Sequence, residues 1–184
     1  MILARQNLPV LDRGPGAYAA ADGAAHGGYV LAGADEDADV LLIATGSEVQ
    51  IALDARDLLA GEGITARVVS MPCREWFAQQ PASYRDEVLP PSVRARDSVE
   101  AGIGQGWRDI VGHAGRIICL EHFGASADYQ RLYREFGITA EAVAQQPGTA
   151  SPQLPARSAP AGTSRPPPRR REAPATSPSD ARPV

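Results

Sequence analysis

The stretch "VLLIATGSEVQ", residues 40–50, decides the fold. Its first six residues form an almost continuous apolar run of strand length, which is typical of a strand that is covered on both faces. Gly46 then turns the chain, and Ser47 with Gln50 forms a capping-box pattern of the kind that opens a helix. The stretch therefore predicts a buried strand, a tight turn and the start of a helix.

The same alternation continues along the chain. The first helix is predicted to run to about Ala60 and to end at Gly61 and Gly63, because glycine accepts the left-handed conformation at a helix C-terminus. Further strands are predicted at 66–71, 93–100 and 116–121, and charged residues alternate along 93–100, so that strand is expected to be more exposed. Further helices are predicted at 74–80, 84–88, 105–111, 126–135 and 139–146. This order predicts an α/β domain, with a parallel or mixed sheet covered by helices.

Composition divides the chain into two parts. Residues 1–146 carry a formal charge of −8, whereas residues 147–184 carry +4 and 10 of the 16 prolines. The second part has no aromatic residue, and Leu154 and Val184 are its only larger aliphatic residues. Such a segment buries too little apolar surface to offset its chain entropy. The sequence therefore predicts a folded domain over 1–146 and a disordered tail over 147–184.

Several function classes are disfavoured by composition. The acidic body argues against a nucleic-acid partner, and Arg169–Arg171 in the tail are better explained as a solvated charge run than as a site for an anionic surface. No segment approaches the roughly 20 apolar residues of a membrane helix, and no signal-peptide pattern is present. Cys73 and Cys119 match no metal or redox spacing, which predicts a reducing, cytoplasmic location.

A glycine set, Gly102, Gly104 and Gly106, follows a predicted strand, and Glu121 lies further along the chain. This arrangement is superficially similar to a dinucleotide-binding fingerprint. The fingerprint, however, needs its third glycine where this chain has Trp107, whose bulk prevents close packing of helix on strand. A flexible turn between strand and helix is the favoured interpretation.

The turn Thr45–Glu48 offers free backbone N–H groups at a helix start, which is the ordinary setting for an anion site. Glu48, however, already places a negative charge there and would repel a phosphate. Local capping of the helix is therefore favoured over ligand binding.

The histidines form no recognisable constellation. His26 lies in a glycine-rich loop and His113 on a turn, while Glu121 and His122 form a pair that is able to transfer protons if a substrate comes within reach. A histidine that fills an interface is the favoured reading of His122. Cys73 has no neighbour in sequence that would lower its pKa, so packing is the favoured role.

Arg5 is the candidate binding residue. It ends an apolar segment and is followed by Gln6 and Asn7. A guanidinium in such a place suits bidentate recognition of phosphate or carboxylate, although from chemistry alone pairing with a surface acid is the favoured explanation.

Seven segments together closely resemble the C-terminal domain of transketolase. The resemblance covers residues 1 to about 144, and its motifs stand in order: "RQNLPVLDR", "GGYVL", "LIATGSEVQIALDARDLL", "ARVVSMPCREWF", "YRDEVLPPSVRAR", "SVEAGI" and "LEHFGASADYQRLYREFGIT". The Arg-Gln-Asn-Leu start and the later Phe-Gly-x-Ser distinguish transketolase from deoxyxylulose-phosphate synthases and pyruvate dehydrogenase E1 chains, which share the domain but not this pair of motifs.

The resemblance implies a three-layer domain with a mixed, mostly parallel sheet. A full transketolase has two earlier domains, which hold thiamine diphosphate and a divalent metal such as magnesium, and it acts as a homodimer. It transfers a two-carbon ketol unit between sugar phosphates. The resemblance therefore implies that this chain holds no cofactor or metal alone and that the missing domains or a partner subunit complete it.

One functional residue is carried over by the resemblance. The arginine of the family's Arg-Gln-Asn motif contacts the substrate phosphate, and it matches Arg5. The preceding position is commonly Ser or Thr, whereas this chain has Ala4, a mild departure.

Two features predict that the chain is a fragment. Residues 1–4 resemble the last piece of a strand from a preceding domain, and Pro147 interrupts the helix that the family continues from Glu141. Two functions are therefore predicted as alternatives. The chain is either a transketolase piece that needs the other domains, or a non-catalytic α/β interaction module or pseudogene-like remnant.

Overall fold

Five strands form one mixed sheet in a computed structural model of the chain, which describes Ala4 and residues 6–14, 17–33 and 38–145. The strands are β1 (Tyr29–Gly33), β2 (Val40–Ala44), β3 (Ala66–Ser70), β4 (Arg96–Val99) and β5 (Arg116–Ile118). Their order across the sheet is β1-β3-β2-β4-β5. Strand β1 is antiparallel to β3 and the other neighbours are parallel, which confirms the mixed, mostly parallel sheet.

Helices cover both faces of this sheet. They are α1 (Val49–Gly61), α2 (Arg74–Ala78), α3 (Ala82–Val88), α4 (Arg108–Val111), α5 (Tyr129–Glu135) and α6 (Ala140–Ala144), with 3-10 helices at Ala21–His26 and Gly46–Glu48. Among the described residues, no helix is long and apolar enough to cross a membrane. The predicted tail, 147–184, lies outside the described residues.

The centre of the sheet is β2, whose five residues are all buried. Successive side chains of a strand point to opposite faces. Leu42 accordingly packs in a cluster with α1 and α6, whereas Leu41 and Ile43 pack in a second cluster with α2, α3 and α4. The apolar run of 40–44 therefore supplies the core of both layers, and the three-layer α/β prediction is confirmed.

The predicted exposure of the strand at 93–100 is wrong. Strand β4 is shorter than the predicted strand and lies between β2 and β5. Its residues Asp97, Ser98 and Val99 are completely buried. The charged residues of this stretch suggested a solvent-exposed face, but the Asp97 carboxylate is buried because it has a cationic partner. Arg116 donates to Asp97 Oδ2 through Nε at 3.1 Å and Nη2 at 2.5 Å.

The same arginine also joins the sheet to α6. Its guanidinium donates to the carbonyls of Val143, at 2.5 Å, and of Gln145. These carbonyls belong to the last turn of α6, where backbone acceptors lack partners within the helix. Arg116 thus connects β4, β5 and the end of α6 through one side chain.

The helix after β2 begins differently from the capping-box prediction. A 3-10 turn over Gly46–Glu48 precedes α1, and neither Thr45 nor Glu48 caps through its side chain. The Ser47 hydroxyl instead donates to Glu48 Oε1 at 2.6 Å. The predicted end is confirmed, because α1 stops at Gly61 and Gly63 has a φ of +77°.

Strand β1 and the 3-10 helix Ala21–His26 have no counterpart among the sequence predictions. They are joined by Gly27, whose φ is +80°, and a Cβ there would collide with the α2 backbone. His26 stacks on the ring of Tyr84, with centroids 4.9 Å apart. Pairing with β3, which is about 40 residues away, decides this strand, so local pattern does not show it.

Replacing Asp97 by Asn is expected to lower the free energy of unfolding by about 3–5 kcal/mol, because it leaves the Arg116 charge buried without its counter-charge. The Asp97 side chain is fully buried and that of Arg116 is 11% exposed. Urea unfolding of the full chain, followed by circular dichroism, measures the loss.

The matched control is Asp57→Asn, since the Asp57 side chain is exposed and lies 3.9 Å from the half-buried Arg56. That change should alter the unfolding free energy by less than about 0.5 kcal/mol. Equal losses in the two variants would contradict the structural importance of the Asp97–Arg116 pair.

Candidate functional site

The topology places a crevice between the carboxyl ends of β2 and β4. The chain passes from β2 through α1 to β3 on one side of β2, and then returns to place β4 on the other side. Ligands of open α/β sheets bind at such a reversal of strand order. Ala44 and Val99 are register partners at these ends, so Thr45 and Glu100 both lie at the crevice.

A buried polar cluster forms at the β2 side of this crevice. Glu48 is only 5% exposed, and its Oε1 accepts from the Ser47 hydroxyl at 2.6 Å and from the Tyr133 hydroxyl at 2.5 Å. Ser47, Glu48 and Tyr133 are called the Glu48 cluster below.

The surroundings of Tyr133 keep its hydroxyl protonated, so that it acts as a hydrogen-bond donor. Burial, followed by the hydrogen bond to Glu48, raises the pKa of Tyr133 to about 12. The phenol therefore stays protonated at neutral pH and donates to the Glu48 carboxylate. The negative charge at this turn is thus held by intramolecular donors, which agrees with a structural role for Thr45–Glu48, although through a different contact from the predicted capping box.

The three glycines after β4, Gly102, Gly104 and Gly106, form the predicted turn. The space beside this turn is occupied by side chains of the protein itself. The Gly104 N–H donates to Glu121 Oε1 at 3.0 Å, and a Cβ on Gly104 would lie only 2.7 Å from that oxygen. Trp107 is buried, and its indole N–H donates to Glu100 Oε2 at 2.5 Å. Arg74 lies over the Trp107 ring, 5.1 Å from its centroid. An open pocket of about 620 Å³ adjoins this turn.

Glu121 and His122 do not act on one another in the structure. The Glu121 carboxylate faces Gly104 and the Cys119 thiol, and these hydrogen bonds, that of Cys119 first, hold its pKa below the usual range. His122 is exposed, its Nδ1 lies 2.8 Å from the Phe123 carbonyl oxygen, and its ring meets Phe136 edge-on. The two side chains engage different groups, so the predicted alternative of a proton-transfer pair has no geometric support.

The cysteines are half-buried and free. Burial, followed by the hydrogen bond and charge of Glu121, raises the pKa of the Cys119 thiol to about 11. The Cys73 thiol lies 3.6 Å from Glu75 Oε2. His113, the remaining histidine candidate, is exposed on the turn before β5.

The carboxylates at the crevice do not suit a divalent metal or a diphosphate. Glu48, Glu100 and Glu121 are each already engaged by donors of the protein: hydroxyls, an indole and a backbone amide. Within the described residues, no group of three or more His, Cys, Asp and Glu side chains is arranged to hold a metal ion. The thiamine diphosphate and magnesium that the resemblance implies therefore have no matching donor set in this part of the chain.

Arg5, the predicted phosphate-binding residue, lies outside the described residues. Its neighbours are described: Ala4 is exposed and Gln6 is half-buried. Sequence reasoning did not find the Glu48 cluster, because Ser47 and Tyr133 are 86 positions apart and no local pattern links them.

Helices on both faces of a sheet whose order reverses at β2 define the class of the protein as a three-layer α/β domain. The chain belongs to the family of transketolase-like C-terminal domains, which it matches over residues 27–139.

Individual relatives agree with the family match. The chain is 56% identical over 149 residues to the transketolase of Mycobacterium tuberculosis strain H37Rv, a match that covers 78% of this chain and 21% of the relative. Among solved structures, the transketolase of Leishmania mexicana matches with a TM-score of 0.62 and 42% identity, over 67% of this chain and 18% of that chain. A Pichia stipitis transketolase in complex with sedoheptulose 7-phosphate matches with a TM-score of 0.66 and 38% identity, over 76% and 19%. The chain thus spans about a fifth of the length of the relatives that it matches.

Alkylation of Cys119 should keep accelerating up to about pH 11, because only the thiolate reacts and its pKa is about 11. An ordinary thiol levels off near pH 8.5–9. Glu121→Gln should move this profile to lower pH, since it removes the charge that raises the thiol pKa. Peptide-level mass spectrometry after brief iodoacetamide exposure at each pH measures the rate.

Glu135→Gln is the control, since Glu135 is an exposed residue of α5. It should leave the Cys119 profile unchanged. A wild-type rate that levels off near pH 9, or a Glu121→Gln profile identical to wild type, would show that the described environment does not control this thiol.

Proposed function

We propose that the chain serves as the C-terminal domain of a transketolase, contributing to ketol transfer between sugar phosphates without being catalytic alone. Support comes from the family match over 27–139 and from the 56% identity to a curated transketolase. The chain corresponds to only 21% of that relative, so the proposal assigns the remaining functions to other polypeptide segments. Thiamine diphosphate and magnesium would be held there.

The proposed contribution to substrate binding comes from Arg5, whose guanidinium binds the phosphate of the sugar. The observation that carries this proposal is the Arg5-Gln6-Asn7 motif, whose arginine contacts the substrate phosphate in the family that the chain resembles. The planar donor set of a guanidinium matches a phosphate. The Pichia stipitis relative was solved with sedoheptulose 7-phosphate, which belongs to the proposed substrate class.

The second proposed contribution is packing against the missing domains or a second subunit in a homo-oligomer. Two large apolar side chains follow strands at the same edge: Ile103 after β4 is 60% exposed, and Phe123 after β5 is 98% exposed. Exposed apolar groups at a sheet edge favour contact with another polypeptide surface. We place this assembly in the cytoplasm, in keeping with two cysteines that remain free.

Arg5→Ala should raise the KM for a ketose phosphate about 10- to 100-fold and leave kcat within a factor of a few. A hydrogen bond to a charged group contributes about 1.5–3 kcal/mol, and here it acts on binding. The assay mixes the full chain with a separate polypeptide that comprises the first two domains of the Mycobacterium tuberculosis relative, with thiamine diphosphate and magnesium.

Arg131→Ala is the matched control, because Arg131 is an exposed arginine on α5. An unphosphorylated ketose is the matched substrate, and the Arg5 variant should process it like wild type. Failure of the mixture to turn over substrate would favour the alternative of a non-catalytic interaction module. Restored activity that does not respond to Arg5→Ala would refute only the phosphate role.

A further inference from the structure

The last two helices of the described residues, α5 and α6, belong to a segment that makes its backbone hydrogen bonds internally. Among the described residues, every backbone–backbone hydrogen bond of residues 128–145 joins two residues of that segment. The segment contributes no strand to the five-stranded sheet of the described part of the chain. Residues 128–145 are called the strap below. Displacing the strap therefore breaks no backbone hydrogen bond of the sheet.

Each helix of the strap also caps its own N-terminus. Asp128 Oδ1 accepts from the backbone N–H groups of Gln130, at 3.0 Å, and Arg131, at 3.3 Å. The Thr139 hydroxyl accepts from the Ala142 N–H at 3.2 Å. Side chains that satisfy the free N–H groups of a first turn stabilise the helix. Both helices therefore keep these caps when the strap leaves the sheet.

Polar side chains attach the strap at two opposite edges of the sheet. At the carboxyl edge, the Tyr133 hydroxyl of α5 donates to Glu48 Oε1 at 2.5 Å. At the amino end of β5, the Arg116 guanidinium donates to the carbonyls of Val143, at 2.5 Å, and of Gln145. Each helix of the strap thus has a polar attachment to the remainder of the domain.

Apolar packing holds the strap along a single seam. Ile138 and Val143 are the only buried residues of the strap, all of whose residues are described. Both belong to the buried cluster that α1 lines, and α6 packs along α1. The chain that leads into the strap, residues 121–127, is exposed throughout and forms no helix or strand. Few buried side chains and an exposed connection are features of segments that open below the free energy of global unfolding.

We propose that the strap is a conformational device, which detaches from α1 and the sheet as one unit while the five strands stay paired. The two helices move together because the turn between them is closed: the Ile138 N–H donates to the Tyr133 carbonyl at 2.8 Å. Detachment separates Ile138 and Val143 from the apolar side of α1 and leaves Glu48 with the Ser47 hydroxyl. The device belongs to this domain alone and is independent of any role in ketol transfer.

Amide hydrogen exchange of the full chain, followed by NMR at increasing urea, tests this device. After correction for intrinsic rates, the slowest amides of α5 and α6 should share one rate of opening and exchange about tenfold or more faster than the slowest amides of β2 and β3. Their protection should also fall less steeply with urea, because opening the strap exposes less surface than global unfolding does. Equal protection of strap and strands, or an equal urea dependence, would overturn the proposal.

Tyr133→Phe removes the attachment at the carboxyl edge. It should accelerate exchange about tenfold throughout α5 and α6, because a buried hydrogen bond is lost and the Glu48 carboxylate loses a donor. Tyr129→Phe is the matched control on the same helix, since the Tyr129 hydroxyl lies 3.4 Å from the exposed Gln130 amide, and it should leave every exchange rate unchanged. Acceleration by Tyr133→Phe in α5 alone would show that the helices do not open together.

Val143→Ala provides the same test from the other helix and does not depend on how Tyr133→Phe folds. It shortens a fully buried side chain of α6. Because it weakens the seam, it should accelerate exchange in α5 as much as in α6, by about tenfold or more. Acceleration confined to α6 would contradict a single unit.

Ile43→Val separates opening of the strap from global unfolding. Ile43 is fully buried in β2, in the cluster with α2, α3 and α4, so its contacts persist when the strap detaches. The change should accelerate exchange of the slowest β2 and β3 amides about threefold to tenfold, because it destabilises the sheet. It should leave exchange in α5 and α6 unchanged, because the attached and detached states are destabilised equally. Equal acceleration in strap and strands would show that the strap opens only by global unfolding.

Discussion

The buried ion pair between Asp97 and Arg116 is the interaction on which the remainder of the sheet edge depends. It joins β4 to β5, and through the carbonyls of Val143 and Gln145 it also holds the end of α6. Strand β5 has only three residues, so backbone pairing alone gives it little stability. Because Glu100 and Glu121 follow these two strands, the pair sets where the carboxyl edge places its side chains. A salt bridge so deeply buried needs good geometry and satisfied acceptors to offset desolvation. Two guanidinium nitrogens donate to Asp97 Oδ2, and the Arg116 backbone N–H donates to Oδ1.

The chain contains no lysine, and several of its arginines stabilise the fold through hydrogen bonds to backbone carbonyls. Arg96 donates to the carbonyls of Leu89, Pro90 and Val93, in the loop before β4, and of Ile110 in α4. Arg108 likewise donates to Gly112 and Gly115. A guanidinium has five donors in a fixed plane, so one side chain is able to satisfy several loop carbonyls where water is excluded. These two cations are therefore occupied by contacts within the fold.

The crevice has carboxylates that are held by the protein's own donors and an edge that carries exposed apolar groups. Glu48, Glu100 and Glu121 accept from Tyr133, Trp107 and Gly104 respectively. The carboxylates at this edge are thus occupied within the protein rather than presented to a cofactor. This agrees with a family whose matched relatives are about five times as long as this match.

The sequence by itself determined the α/β class, the buried strand at 40–44, the end of α1 at Gly61 and the family, because these depend on local hydrophobic pattern and on motif order. It could not determine the burial of β4, the antiparallel strand β1 or the Glu48 cluster. Each of these depends on a partner distant in sequence: Asp97 needs Arg116, β1 needs β3, and Glu48 needs Tyr133. A charged or polar residue has the same local pattern whether water or a buried partner satisfies it, so only the tertiary structure decided which of them lie inside.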